Sequence, residues 1–226
     1  MKLSLDGLAS FLLDLLFPPR CVFCGEIVPP GVKVCRRCAE EIVPSGTVRC
    51  VKLPVSGGTV SCVCLYGYSG RVRDSILRYK FHGQKENGRY YGQLLAAQIR
   101  TVCPGRKIDS VTAVPLSPER KKERGYDQSE QIAVPLAGAL GVPFAPYLRK
   151  VRENKVQHLL GREERVRNVR GAYTTDGSAV TGQNILLVDD IVTTGSTLGE
   201  CADALLRGGA ASVFCTSVAD SEPEKS

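Results

Sequence analysis

Residues 185–197 constrain the fold of this chain more than any other part of its 226 residues. They begin as a continuous apolar run and reach the adjacent acids Asp189 and Asp190, and a turn rich in Thr, Gly and Ser then opens a helical pattern. A strand without polar alternation is typical of a parallel sheet that is covered on both faces. The turn then lies at the carboxyl end of the strand, where open α/β sheets bind their ligands.

The chemistry of this turn favours a sugar phosphate. Backbone N–H groups at a helix start carry partial positive charge, and Gly195 would let the chain approach an anion closely. A phosphate would repel Asp189 and Asp190, so adjacent sugar hydroxyls are their natural hydrogen-bond donors. The alternative is a Ser/Thr cap on an ordinary helix, which leaves the pair of acids unexplained. The turn also offers the hydroxyl groups of Thr193, Thr194, Ser196 and Thr197.

Helical patterns and short apolar runs alternate after Cys64. They predict an α/β domain at 65–218, in which helices flank a central, mostly parallel sheet, and a disordered tail at 219–226. Pro135 lies inside one helical pattern and predicts a kink or a break there. The predicted helices are 69–80, 89–102, 129–140 and 196–207, and the predicted strands are 110–115, 185–189 and 212–217.

Four of the ten cysteines form two CxxC pairs, Cys21 with Cys24 and Cys35 with Cys38, separated by ten residues. Four thiolates satisfy the tetrahedral preference of zinc, so this spacing predicts a structural zinc-ribbon module at 18–64. The alternatives are surface thiols or disulfides, and a cytosolic chain rarely keeps disulfides oxidised.

The other cysteines carry a weaker signal. Cys50, Cys62 and Cys64 lack a fourth ligand, because Leu53 occupies the position that would complete a CxxC pair. Whether they hold a second zinc ion is left open by the sequence. The remaining three are expected to be small buried hydrophobes, namely Cys103, Cys201 and Cys215.

The first 17 residues have the spacing of an amphipathic helix that stops before Pro18 and Pro19. The segment is too short to span a bilayer, and no export signal is evident, so the expected compartment is the cytoplasm. Docking on protein is the favoured role of its apolar face, and a membrane surface is the alternative. The apolar stripe consists of Leu5, Leu8, Phe11, Leu12, Leu15 and Leu16.

Cations follow the strand predicted at 110–115 and recur at 149–170. With a formal net charge of +7, the chain suits a partner that carries phosphates. Acidic residues are interleaved in both clusters, so solvated helix faces are the alternative interpretation. The first cluster consists of Arg120, Lys121, Lys122 and Arg124.

The segment Val188-Asp-Asp-Ile-Val-Thr-Thr-Gly-Ser-Thr197 resembles the motif with which type I phosphoribosyltransferases bind phosphoribosyl pyrophosphate (PRPP). Motif for motif, the chain is similar to the ComF family of competence proteins from Pro18 to Val218. It departs from that pattern at Leu53, at Asp127, where relatives often have Asn, and at Val156. The supporting motifs are the cysteine ribbon, Tyr68-Ser-Gly, Lys80-Phe-His-Gly83, Val114-Pro-Leu116, Arg124-Gly-Tyr-Asp-Gln128, Gln157 and Arg165-Val-Arg-Asn168.

The resemblance implies a type I phosphoribosyltransferase fold with an N-terminal zinc ribbon. The implied reaction displaces pyrophosphate from ribose C1, with Mg²⁺ bridging the diphosphate and ribose oxygens. Asp189 and Asp190 would hold the ribose hydroxyls, and Arg124 would act with them in catalysis. The other implied substrate contacts are Lys80, Pro115, Leu116, Ser117, Thr193, Thr194, Gly195, Ser196 and Thr197.

Two functions from different classes fit these motifs. The first is an enzyme that transfers phosphoribosyl from PRPP to an acceptor that the sequence does not name. The second is a non-catalytic protein that binds single-stranded DNA during DNA uptake and natural transformation, as the family name implies, and uses the PRPP site for regulation. Competence or DNA-uptake proteins and a second copy of the chain are the further candidate partners.

Overall fold

A computed structural model describes residues 18–151 and 171–221. The predicted helix at 1–17, most of the cation-rich stretch at 149–170 and the end of the tail at 222–226 lie outside the described residues. Within the described part of the chain, no helix is long and apolar enough to cross a membrane.

The described residues form seven helices and seven strands. The helices are α1 Arg36–Glu41, α2 Gly70–Phe81, α3 Asn87–Val102, α4 Pro118–Arg124, α5 Gln128–Leu140, α6 Gly177–Val180 and α7 Ser196–Arg207. The strands are β1 Thr47–Lys52, β2 Thr59–Gly67, β3 Ser110–Ala113, β4 Leu148–Lys150, β5 Tyr173–Thr175, β6 Asn184–Val192 and β7 Ser212–Asp220.

The main sheet has five strands in the order β1-β2-β7-β6-β3. Strands β2, β7, β6 and β3 run parallel, and β1 pairs antiparallel with β2. The prediction of a mostly parallel sheet is therefore confirmed. A second, two-stranded sheet joins β4 and β5 in antiparallel register.

Strand β6 shows why its apolar run is continuous. Leu186 and Val188 belong to a core with the ribbon and with helices α2, α3 and α5. Ile185 and Leu187 belong to a second core, which α7 covers. Because side chains of a strand alternate between faces, both faces of the sheet require apolar residues.

The structure differs from the sequence-based expectations at the ends of the sheet. The division expected after Cys64 falls inside β2, so residues assigned to the ribbon module form two strands of the main sheet. Residues 219 and 220 were expected in a disordered tail, but they extend β7, where Ala219 pairs with Ile191. Helix α5 continues through Pro135 without a break.

Candidate functional site

A cleft of about 410 Å³ opens at the carboxyl ends of β3 and β6. Helices α2, α4, α5 and α7 contribute its walls, as do strands β4 and β5. Thr194 is the implied contact that does not line the cleft. The implied contacts that line it are Lys80, Pro115, Leu116, Ser117, Arg124, Asp189, Asp190, Thr193, Gly195, Ser196 and Thr197.

The acid pair is held from two sides. The Ser129 hydroxyl at the start of α5 donates to Asp189 Oδ1 over 3.0 Å, and the Asp190 backbone N–H donates to the same oxygen over 2.9 Å. The Lys80 ammonium group on α2 lies 2.8 Å from Asp190 Oδ1. Both side chains of this ion pair are largely buried, at 17% and 12% exposed, so solvent screens their attraction little.

Burial and, to a smaller extent, the neighbouring negative charge of Asp190 raise the pKa of Asp189 to about 7. The positive charge of Lys80 and the two hydrogen bonds oppose this rise. A strongly perturbed carboxyl group in a cleft is characteristic of a binding or catalytic site.

We expect this carboxyl group to make stability depend on pH. Its pKa in the folded state lies above the value near 3.9 of an unfolded aspartate, so the stabilisation is complete below about pH 4 and is lost as pH rises through 7. From pH 5 to pH 8, the unfolding free energy of the wild type should fall by about 2–3 kcal/mol relative to Asp189→Asn. Urea unfolding of both proteins measures this difference, and parallel pH profiles would contradict it.

The turn after β6 closes on itself before α7 begins. Gly195 adopts a φ of +78°, a left-handed conformation that other residues rarely tolerate. The hydroxyl groups of Thr194 and Ser196 lie 2.7 Å apart, and the Ser196 backbone N–H donates to Thr194 Oγ1 over 3.3 Å. This explains why Thr194 faces the turn and not the cleft. Ser196 and Thr197 at the start of α7 line the cleft, and the N-terminus of a helix favours an anion.

The turn after β3 forms the opposite wall, and Asp127 holds it in place. Asp127 Oδ2 accepts from the Leu116 backbone N–H over 2.8 Å, and Oδ1 accepts from Glu130 N–H over 3.2 Å as the N-cap of α5. Both carboxylate oxygens are therefore used, and burial raises the pKa of this group. Asp127 stands where relatives often have Asn, and its hydrogen bond to Leu116 fixes the conformation of this turn.

Arg124 reaches the cleft from the end of α4. Its guanidinium group lies 5.0 Å from the centre of the Phe81 ring and donates to Gln128 Oε1 over 2.8 Å. The Phe81 side chain is 59% exposed, which is unusual for a large aromatic residue. The cleft mouth therefore presents a cation stacked on an accessible ring.

The sequence assigned no role to Ser129 or Tyr173, and it singled out Lys150 only as part of the cation-rich stretch at 149–170. Ser129 supports the acid pair, and Lys150 and Tyr173 bring the small sheet of β4 and β5 to the cleft. Only the position of Ser129 at a helix start, directly after the Arg124–Gln128 motif, could have drawn attention to it. The contacts of Lys150 and Tyr173 depend on chain topology.

A second, separate site is formed by four cysteines whose sulfur atoms all lie within 4.8 Å of one another. These are Cys21, Cys24, Cys35 and Cys38. Zn–S bonds of about 2.3 Å in a tetrahedron place sulfur atoms about 3.8 Å apart. The 3.7 Å separation of the Cys24 and Cys35 sulfur atoms agrees with that geometry. The chain therefore carries a structural zinc centre.

The other three cysteines of this region do not converge. Cys50 is opposite Ser61 in the β1–β2 register, so it lies on the sheet face away from Cys62 and Cys64. Cys62 and Cys64 are buried with their sulfur atoms 3.9 Å apart, whereas Cys50 is exposed. Among the described residues, these cysteines form no second cluster of three or more metal ligands.

We therefore expect the purified protein to contain about one zinc ion per chain. Cys24→Ser should remove that zinc, because three thiolates close a structural site poorly, whereas Cys50→Ser should retain it. Elemental analysis by mass spectrometry measures the metal content of each protein. Two zinc ions per wild-type chain would contradict this prediction.

Two protein families match separate parts of this chain. The family described as Phosphoribosyl transferase domain matches residues 127–225, and the family described as Double zinc ribbon domain matches residues 12–64. The fold and its two sites thus define a type I phosphoribosyltransferase domain with an N-terminal zinc ribbon.

Curated relatives narrow this class to a family. The DNA utilization protein YhgH of Salmonella typhimurium is 31% identical over 201 residues, which cover 85% of this chain and 86% of that protein. The competence protein ComFC of Bacillus subtilis is 32% identical over 150 residues, which cover 66% of this chain and 60% of that protein. The chain belongs to the ComF-like family.

Solved structures include adenine phosphoribosyltransferase from Saccharomyces cerevisiae, at 18% identity and a TM-score of 0.41. That match covers 82% of this chain and 89% of the yeast one.

Proposed function

We propose that the cleft binds PRPP together with Mg²⁺ and that the protein is a phosphoribosyltransferase with an acceptor still to be identified. The observation that carries this proposal is that the acid pair and the N-terminus of α7 lie in one cleft, connected by a single short turn. Few ligands other than a phosphorylated sugar offer both hydroxyl donors and an anionic group at that spacing.

Each part of PRPP has a partner of suitable chemistry. The 5′-phosphate would accept hydrogen bonds from the turn at 193–197, and the ribose hydroxyls would donate to Asp189 and Asp190. The pyrophosphate would lie against the turn at 114–117, beside the cations Arg120 and Arg124. Cations aimed at the departing pyrophosphate stabilise the charge that develops as its bond to ribose C1 breaks.

Mg²⁺ would neutralise part of the diphosphate charge and bind the ribose oxygens beside the acid pair. The chain offers carboxylate oxygens in this cleft, which are ligands that Mg²⁺ accepts. Ligand binding has to compete with the Lys80–Asp190 ion pair of the free protein. Lys80 therefore either moves to the diphosphate or remains beside the acids and limits their negative charge.

Release of pyrophosphate tests the catalytic part of this proposal. PRPP, Mg²⁺ and a panel of nucleobases are supplied, and we expect release that depends on one acceptor and that falls about 100-fold in Arg124→Met. Arg100→Met is the matched control, because Arg100 lies outside the cleft lining. Bound PRPP without release for any acceptor would exclude turnover and leave a binding protein.

A non-catalytic role on single-stranded DNA is the second candidate. Helix α4 has no buried residue, so its cations are accessible, and Phe81 offers an exposed ring beside Arg124. Aromatic rings and cations together suit unpaired bases and the phosphate backbone. The names of the relatives, a DNA utilization protein and a competence protein, support this candidate.

Fluorescence anisotropy with a labelled oligonucleotide separates the two candidates. The DNA-binding role predicts affinity that weakens steeply with salt and that drops in Phe81→Ala. Absence of binding at low salt would exclude it. Addition of PRPP to the bound complex then tests whether the cleft regulates DNA binding.

A further inference from the structure

Arg49 is distant in sequence from the motifs that define the cleft, yet its side chain contacts the phosphate-binding turn. Its guanidinium group donates to the Thr193 carbonyl oxygen over 3.0 Å and lies 2.6 Å from Asp220 Oδ1. The Arg49 side chain is 13% exposed and the Asp220 side chain is 1% exposed. A charged group this deeply buried requires partners, and it has one on the turn and one on β7.

The strand that carries Arg49 packs behind the turn and the start of α7. The Val51 side chain lies within 3.4 Å of the position that a Cβ atom on Gly195 would occupy. The Lys52 carbonyl oxygen lies even closer, 2.1 Å, to the equivalent position on Gly199. Strand β1 therefore packs closely against both the turn and the first turn of α7, through the Val51 side chain and the Lys52 backbone.

The contact with Thr193 acts on the orientation of a peptide group. The C=O of Thr193 and the N–H of Thr194 belong to one planar unit, so a fixed carbonyl also fixes the direction of that N–H. The backbone N–H groups of this turn are the groups that an anion would contact. The charge of Arg49 is balanced by Asp220, so its effect on an anion comes from geometry more than from attraction.

We propose that Arg49 is a positioning residue for the phosphate-binding turn, through which β1 sets the affinity of the cleft for the 5′-phosphate. The inference rests on the proposed PRPP site, because it assigns the turn to that phosphate. Among the described residues, the hydrogen bonds and ion pair of Arg49 go to Thr193 and Asp220, and none goes to the turn at 114–117, which is assigned to pyrophosphate. The effect of Arg49 is therefore selective for one half of the ligand.

Calorimetry with two ligands, each of which corresponds to one half of PRPP, tests this selectivity. Ribose 5-phosphate probes the turn at 193–197, and pyrophosphate with Mg²⁺ probes the turn at 114–117. In Arg49→Met, ribose 5-phosphate is expected to bind about tenfold more weakly, the effect of losing one charge-assisted hydrogen bond, while pyrophosphate changes less than about twofold. Arg49→Lys keeps the charge and one donor group, so an intermediate loss with the same selectivity is expected.

Arg100→Met is the matched control, because Arg100 also donates to a backbone carbonyl, that of Ala139, away from the cleft. It should leave both affinities unchanged. Equal losses of affinity for the two ligands in the Arg49 variants would mean that Arg49 only stabilises the fold. Unchanged affinity for both ligands would mean that Arg49 has no role in binding. Either result overturns the inference while the PRPP site stands. If Arg49→Met fails to fold, Arg49→Lys decides by the same comparison. A wild-type protein that binds neither ligand overturns the proposed function and this inference together.

Discussion

Replacing both acids, as Asp189→Asn with Asp190→Asn, is expected to weaken PRPP binding by at least about 100-fold, because each ionised carboxylate that accepts a hydrogen bond contributes about 1.5–3 kcal/mol. The variant should fold at least as well as the wild type. Burial and mutual repulsion disfavour the two negative charges, and the pKa of Asp189 is raised for that reason. Calorimetry with PRPP and Mg²⁺ measures the affinity.

The control for this variant is Asp74→Asn on α2. Asp74 is exposed and lies outside the cleft lining, and the substitution removes one negative charge elsewhere. It should leave the affinity for PRPP unchanged. A double variant that binds PRPP as tightly as the wild type would show that the acids do not hold the ribose.

The second large effect is expected for Gly199→Ala on α7. An alanine Cβ would lie 2.1 Å from the Lys52 carbonyl oxygen, a backbone atom of a strand that pairs along its length with β2. Overpacking against backbone should lower the free energy of unfolding by about 2–3 kcal/mol, in spite of the better helix propensity of alanine. Urea unfolding measures the change.

Gly138→Ala on α5 is the matched control. Gly138 is also in a helix, but a Cβ there would meet no atom within 4 Å. Helix propensity then acts alone and should raise the free energy of unfolding by up to about 1 kcal/mol. If Gly199→Ala and Gly138→Ala change the free energy of unfolding by the same amount, β1 does not pack on α7 as described.

The helices of the α/β domain were predictable because their apolar spacing is local. Helix α7 has the predicted bounds, and α2, α3 and α5 begin and end within two residues of them. The turns after β3 and β6 were also predictable, since each is a short run of contiguous residues with its own chemistry.

Strands β1 and β2 were not predicted, and the sequence left open whether their cysteines hold a second metal ion. Cys62 and Cys64 instead lie in the core beneath α7, where a thiol behaves as a small apolar group. The paired register that separates Cys50 from them is a property of the hairpin. Cysteine spacing therefore predicted the zinc centre, whereas the positions of the three later cysteines depend on the pairing of the strands.

The support of the site depends on contacts between distant residues. Ser129 contacts Asp189 across 60 residues, and Arg49 contacts Thr193 across 144 residues. A single sequence carries no signal for such pairs, because they follow from the strand order. The ion pair of Lys80 with Asp190 is of the same kind, although the motif that contains Lys80 was recognised.

The most direct test of the account is a calorimetric titration of the wild-type protein with PRPP in the presence of Mg²⁺. The acid pair and the phosphate-binding turn in one cleft predict saturable binding at one site per chain, and free ribose 5-phosphate should compete with it. Absence of binding heat, together with an unchanged thermal unfolding midpoint at saturating PRPP, would contradict the assignment of this cleft.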